Sequence, residues 1–121
     1  MNEMANLSSR RTGLPTFIWF GEIDGQHGPM IKVSNLPGKF AANDCFVFSV
    51  DRNPQVMTPS SAKLSSSVIA DVKDWIRLNY DDLTLLWKIF ETNEPVKERD
   101  PTGEMVELDV EDILMQLKKL T

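Results

Sequence analysis

The sequence predicts an α+β fold: a small, mainly antiparallel sheet of three to four strands packed on one long helix, with a short carboxy-terminal helix added. Three observations predict it. Short apolar runs separated by Gly, Pro, Asp and Asn fill the first fifty residues, as in strands joined by turns. An apolar stripe of helical period then runs from Val68 to Phe90. A last set of leucines and isoleucines recurs at helical spacing after Asp109. The chain has 121 residues, 41% of them hydrophobic and 26% charged, which suits one domain with one core.

Residues 1–13 are polar and aperiodic and read as a flexible lead to a domain at 14–92. The run TFIWF at 16–20 is continuously apolar, as in a strand buried on both faces. Asp24-Gly25 and Gly28-Pro29 supply turn chemistry before a second strand at 30–34. There Ile31 and Val33 alternate with Lys32 and Ser34, which predicts one covered face and one wet or edge-like face. A turn at Leu36-Pro37-Gly38-Lys39 leads to a third strand, CFVFSV at 45–50. Pro54 and Pro59 mark an irregular crossing with an extended piece at 55–57, and 62–64 is a weakly signalled fourth strand.

At 100° per residue, Val68, Ile69, Val72, Trp75, Ile76, Leu83, Leu86, Trp87 and Phe90 fall within about 120° of arc. Asn79 falls inside that stripe. It either caps a second helix, with Asp82 at the capping-box position and Leu78 stapling Leu83, or sits within one helix from 67 to about 92. A break ordinarily resets the phase, and here the phase is kept. One long helix is therefore expected, with Asn79 as a buried polar group that needs partners. Leu78, Leu85 and Ile89 form a second, narrower stripe that a sheet on the first side cannot reach.

Pro95, Pro101 and Gly103 make 93–104 read as an acidic linker, followed by a strand and helix at 105–121. Asp109 suits an N-cap, with Asp112 at N3 and Leu108 able to staple onto Ile113. Val110, Ile113, Leu114, Leu117 and Leu120 share one face. A helix this short needs that face docked: on the second stripe of its own chain, on a second copy in a homodimer, or on another protein.

The net charge of −5 is uneven. Residues 91–112 hold nine acidic side chains against Lys97 and Arg99, whereas residues 1–90 are balanced. That field repels phosphate backbones, so direct nucleic-acid binding is not expected. It suits a solvated linker, a basic patch on a partner protein, or mimicry of a nucleic acid. No run is long and apolar enough to span a membrane, and the first residues lack the apolar stretch of a secretory signal. The single cysteine, Cys45, precludes an internal disulfide and suits a reducing cytoplasm.

Chemistry has few starting points. His27 lies in a Gly/Pro-rich loop beside Glu22 and Asp24, the setting of a general base, but has no second histidine for a metal and no nucleophile at a diagnostic spacing. Cys45 follows Asp44, which disfavours a thiolate and suits a structural role. Asp81 and Asp82 are adjacent on a helix and do not converge. The segment around Gly38 lacks a phosphate-binding motif. Phe17, Trp19 and Phe20 have too little positive charge nearby for base stacking and read as core. No cofactor and no metal site is expected.

The helical pattern Trp75-Ile76, Asn79, Leu83 and Trp87, preceded by His27-Gly28-Pro29, resembles a family of small bacterial and phage-associated proteins of unknown function. These are found near toxin–antitoxin-like loci and carry an H-x-P-P-H-x-H strand before a W-I-x-x-N-x-x-x-L-x-x-x-W helix. The resemblance covers about residues 15–90, and the later histidines of the motif are missing here. It implies an origin in phage or mobile elements rather than an activity.

The expected function is a non-enzymatic protein–protein interaction module, of inhibitor or antitoxin-like type. Its expected surface is Leu78, Leu85, Ile89, Ile113, Leu114 and Leu117, with Glu98, Asp100 and Glu104 steering a basic partner. On this expectation, deleting residues 94–121 abolishes binding and leaves the rest folded. The alternatives are a small hydrolase or nuclease using His27, and an acidic nucleic-acid mimic.

Overall fold

The computed structural model describes residues 4–14, 18–21, 29–34, 45–58 and 65–120. Along the chain these form β1 (Met4–Leu7), a single helical turn α1 (Ser9–Thr12), β2 (Ile18–Gly21), β3 (Met30–Ser34), β4 (Cys45–Ser49) and β5 (Val56–Thr58). There follow α2 (Ser66–Leu78), α3 (Tyr80–Thr92), β6 (Val96–Arg99), β7 (Met105–Leu108) and α4 (Val110–Gln116). The fold is α+β. β1 to β5 make one antiparallel sheet in chain order, and β6 and β7 make a separate hairpin.

The register places Ile18 opposite Val33, Phe20 opposite Ile31, Ile31 opposite Phe48 and Val33 opposite Phe46. Alternation then puts all six side chains on one face, where they are buried. The helical stripe covers that face through Val72, Trp75, Ile76, Leu83 and Leu86, each with no exposed surface. Phe90 reaches Phe20 with ring centroids 5.5 Å apart.

Two expectations about the sheet are corrected. The lead contributes structure: β1 pairs with β2, and Leu7 joins the core. Without β1, β2 would be an open edge. Lys32 does not face water; it is 7% exposed. β3 is the central strand, so Lys32 lies between Trp19 and Val47, both buried on the second face. Alternation shows which residues share a face, but not whether their strand is an edge. β5 takes the place of the extended piece expected at 55–57, whereas 62–64 lies outside the described residues.

The helical rod runs from Ser66 to Thr92 with a one-residue interruption at Asn79. Ser65 caps its start by accepting from the Val68 N–H. Across the interruption, the Asn79 N–H donates to the Trp75 carbonyl (3.1 Å) and the Leu83 N–H donates to the Asn79 carbonyl (2.8 Å). These bonds carry the ladder over the break, which is why the stripe keeps its phase.

The stretch read as an acidic linker is largely folded. β6 lies within it, pairing Glu98 with Val106 and Lys97 with Glu107. Val96, Glu98, Val106 and Leu108 turn inward, so only one apolar residue of β6 marks it as a strand. α4 begins at the expected capping box, where the Asp109 side chain accepts from the Asp112 N–H and the Asp112 side chain from the Asp109 N–H, both at 3.0 Å. It stops at Gln116, sooner than the leucine spacing implies. Leu117 is extended, and it and Leu120 belong to a tail rather than to the helix. Among the described residues, no helix is long and apolar enough to cross a membrane.

Candidate functional site: the seam between α3 and the carboxy-terminal elements

The second stripe meets the chain's own carboxy-terminal elements. α4 packs on α3 and β7, and Ile113 has no exposed surface. Ile89 is buried in the same core, while Leu114, Leu117 and Leu120 pack against it. Of the three coverings left open by the sequence, the chain's own end is the one observed. Ile89, Ile113, Leu114 and Leu117 are therefore packing residues, not an open partner surface. Leu85 is half-buried, and Leu78 is the one member of the stripe left largely exposed, at 43%.

At one end the seam is closed by a polar strap. The Asn79 side chain, 1% exposed, donates from Nδ2 to the carbonyls of Trp75 (3.1 Å) and Lys118 (3.0 Å). Its Oδ1 accepts from the Lys118 N–H at 2.7 Å. The amide thus meets the tail main chain as a neighbouring strand would, instead of capping α3. Two residues on, the Leu120 N–H donates to the Thr12 carbonyl at 2.8 Å. Gly13 lies against that contact with φ at +76°, and a side chain there would collide with the Leu120 carbonyl. The resemblance motif is absorbed here: Trp75, Ile76 and Leu83 are core and Asn79 holds the tail.

Farther along, the seam opens into a groove of about 500 Å³ between α3, the hairpin and the end of α4. Leu85, Val106 and Leu108 supply its apolar wall with Pro101, and Asp81, Glu98 and Asp100 supply carboxylates against the one cation of Arg99. Thr84 and Gln116 border it with polar side chains. The spacing of Asp81, Thr84 and Leu85 on α3 brings all three to one face.

The three carboxylates differ in what they already bind. Asp81 is exposed and lies 3.9 Å from Arg52, which also sits over the Tyr80 ring. Asp100 holds its own turn, accepting from the Thr102 hydroxyl and from the Thr102 and Glu104 N–H groups. Those bonds, the hydroxyl's first, pull its carboxyl below the usual carboxylate range. Glu98 stands on the inner face of β6, partly buried. Among the described residues, no hydrogen bond or ion pair engages its carboxylate. Arg99, its neighbour, donates to the Gly103 carbonyl at 2.8 Å. Glu104 is exposed and gives its N–H to the Asp100 turn, so it does not line the groove.

Asp82, beside Asp81, is half-buried under the tail. Burial pushes its carboxyl up, while Lys118 lowers it and Asp81 adds a smaller rise. The Asp81–Asp82 pair does not converge on a centre. His27, Glu22, Asp24, Asp44 and Phe17 lie outside the described residues, as does the Cys45 side chain. The outer face of the hairpin mixes signs, with Lys97 opposite Glu107, unlike the uniform acidity that mimicry of a phosphate backbone requires.

The sequence pointed to Leu85, Glu98 and Asp100. It missed Asp81, Thr84, Arg99, Pro101, Val106, Leu108 and Gln116 as groove residues, because their convergence depends on a hairpin in the stretch expected to be linker. No family model, no curated protein and no solved structure matches this chain, so the resemblance drawn from its helical motif rests on the quoted residues alone.

Proposed function

We propose that this protein is a non-enzymatic binding module whose groove between α3 and the hairpin receives a cationic segment of another protein. One observation carries the reading: an apolar wall of Leu85, Val106 and Leu108 is bordered by the carboxylates of Asp81 and Glu98. Apolar surface supplies burial, and the surrounding negative charge selects and steers a basic partner. An inhibitor or antitoxin-like role, in a reducing cytoplasm and with a mobile-element origin, is compatible with such a surface. The reading invokes no cofactor and assigns no chemistry to the groove.

A peptide array tests it. Basic peptides carrying apolar residues bind the full chain, acidic versions of the same peptides do not, and binding weakens as salt rises. Gln116 is exposed at the border of the groove, so Gln116→Lys adds a positive charge without touching the core. Weaker binding by that variant supports the reading. Equal binding of acidic and basic peptides overturns it. A concentration-dependent dimer that Gln116→Lys dissolves assigns the groove to a second copy and also overturns it.

A further inference from the structure

We infer that the groove recognises a single lysine or arginine side chain, its aliphatic stem on Leu85, Val106 and Leu108 and its charge on Glu98. This inference rests on the groove being a binding surface and names the chemistry that surface selects. Glu98 is the deciding residue for three reasons.

Strand alternation and the pairing of Glu98 with Val106 fix it on the inward face of the hairpin, in line with Val96 and Leu108. Its carboxylate is held at the apolar wall, reaches solvent, and among the described residues no group of the chain pairs with it. The chain's nearby cations are committed or turned away. Arg99 lines the groove but gives a guanidinium N–H to the Gly103 carbonyl and makes no ion pair with Glu98. Arg52 lies by Tyr80 and Asp81, and Lys97 faces Glu107 on the outer side. The lining therefore keeps three carboxylates against one cation. The other carboxylates are placed less well, since one oxygen of Asp100 holds its own turn and Asp81 is fully exposed beside Arg52.

A lysine or arginine fits both halves of this environment. Its methylene stem covers the apolar wall while its charged end donates to Glu98. The groove has room for an apolar neighbour of that residue as well, which favours a peptide over a free cation. A small inorganic cation would leave the apolar wall wet.

The test uses the full chain and capped pentapeptides with lysine, arginine or norleucine at the centre, flanked by leucine or phenylalanine. Affinities are measured by calorimetry on the native chain, Glu98→Gln and Glu98→Asp. We expect the cationic peptides to bind at least about tenfold more tightly than the norleucine ones. Glu98→Gln should remove that preference, and Glu98→Asp should keep part of it. Glu98→Gln is close to isosteric, and an unchanged melting temperature shows that any loss is not unfolding. Binding that is equal for lysine and norleucine, or a preference that survives Glu98→Gln, overturns the inference and leaves the groove as an apolar docking surface. Absence of binding by every peptide overturns the inference and the binding-module reading together.

Discussion

Asn79 and Glu98 are two polar side chains set into one apolar seam, and the chain treats them oppositely. The Asn79 amide is buried with its donor and acceptor both engaged, chiefly by the Lys118 main chain. The Glu98 carboxylate, on the hairpin across the same helix, is left without a partner among the described residues. Burying a polar group is costly unless its bonds are met, so the first arrangement stabilises the fold by holding the tail. The second makes no bond that holds the fold, and the proposed binding role rests on that difference.

The largest test of the closed end is removal of residues 94–121. The sequence suggested that this deletion spares the fold. The structure predicts the opposite, because Val96 and Ile113 belong to the core and the Asn79 amide would lose Lys118. The truncated chain should lose its cooperative urea transition; a two-state transition near that of the full chain would show the seam to be dispensable. Asn79→Ala comes next. It leaves the part-buried Lys118 main chain without its Asn79 partner and should cost about 1–3 kcal/mol by urea titration. Amide exchange should accelerate at Lys118 and Leu120, while that in β3 should follow only the global stability.

What the sequence showed depended on whether a feature was local. The β3 strand and the Asp109–Asp112 capping box are local patterns and appear where expected, although the wet face read into β3 is buried at Lys32. The unbroken phase of the apolar stripe required partners for Asn79, and Lys118, thirty-nine residues away and not legible locally, supplies them. β6 was hidden because VKER turns only Val96 and Glu98 inward, and Lys97 and Arg99 make it look like solvated linker. The end of α4 was misplaced because leucines three apart at 117 and 120 fit a helix or a tail packed on a core equally well. The groove inherits both obscurities, since one wall is the hairpin and one border is the helix end.

A smaller effect sharpens the contrast between carboxylates. Asp82 has a raised folded pKa, caused first by burial and moderated by Lys118, so the folded state binds its proton more tightly than the unfolded state. Its contribution therefore favours folding at low pH and declines as pH rises through the carboxylate range. Asp100 is lowered by its turn bonds, so its contribution is present above that range and is lost as pH falls. Urea midpoints across about pH 3–6 should show Asp82→Asn gaining on the native chain as pH rises and Asp100→Asn losing. Parallel curves for the two variants would remove this distinction.

The central claim is that one end of the seam is closed by the chain itself and the other is open to a cationic partner. Mapping backbone amide shifts while a lysine-centred peptide is titrated into the full chain tests it most directly. The account predicts saturable shifts at Leu85, Glu98, Val106 and Gln116, with Asn79, Lys118 and Leu120 unmoved. Shifts concentrated at the tail, or none in the groove, would contradict it.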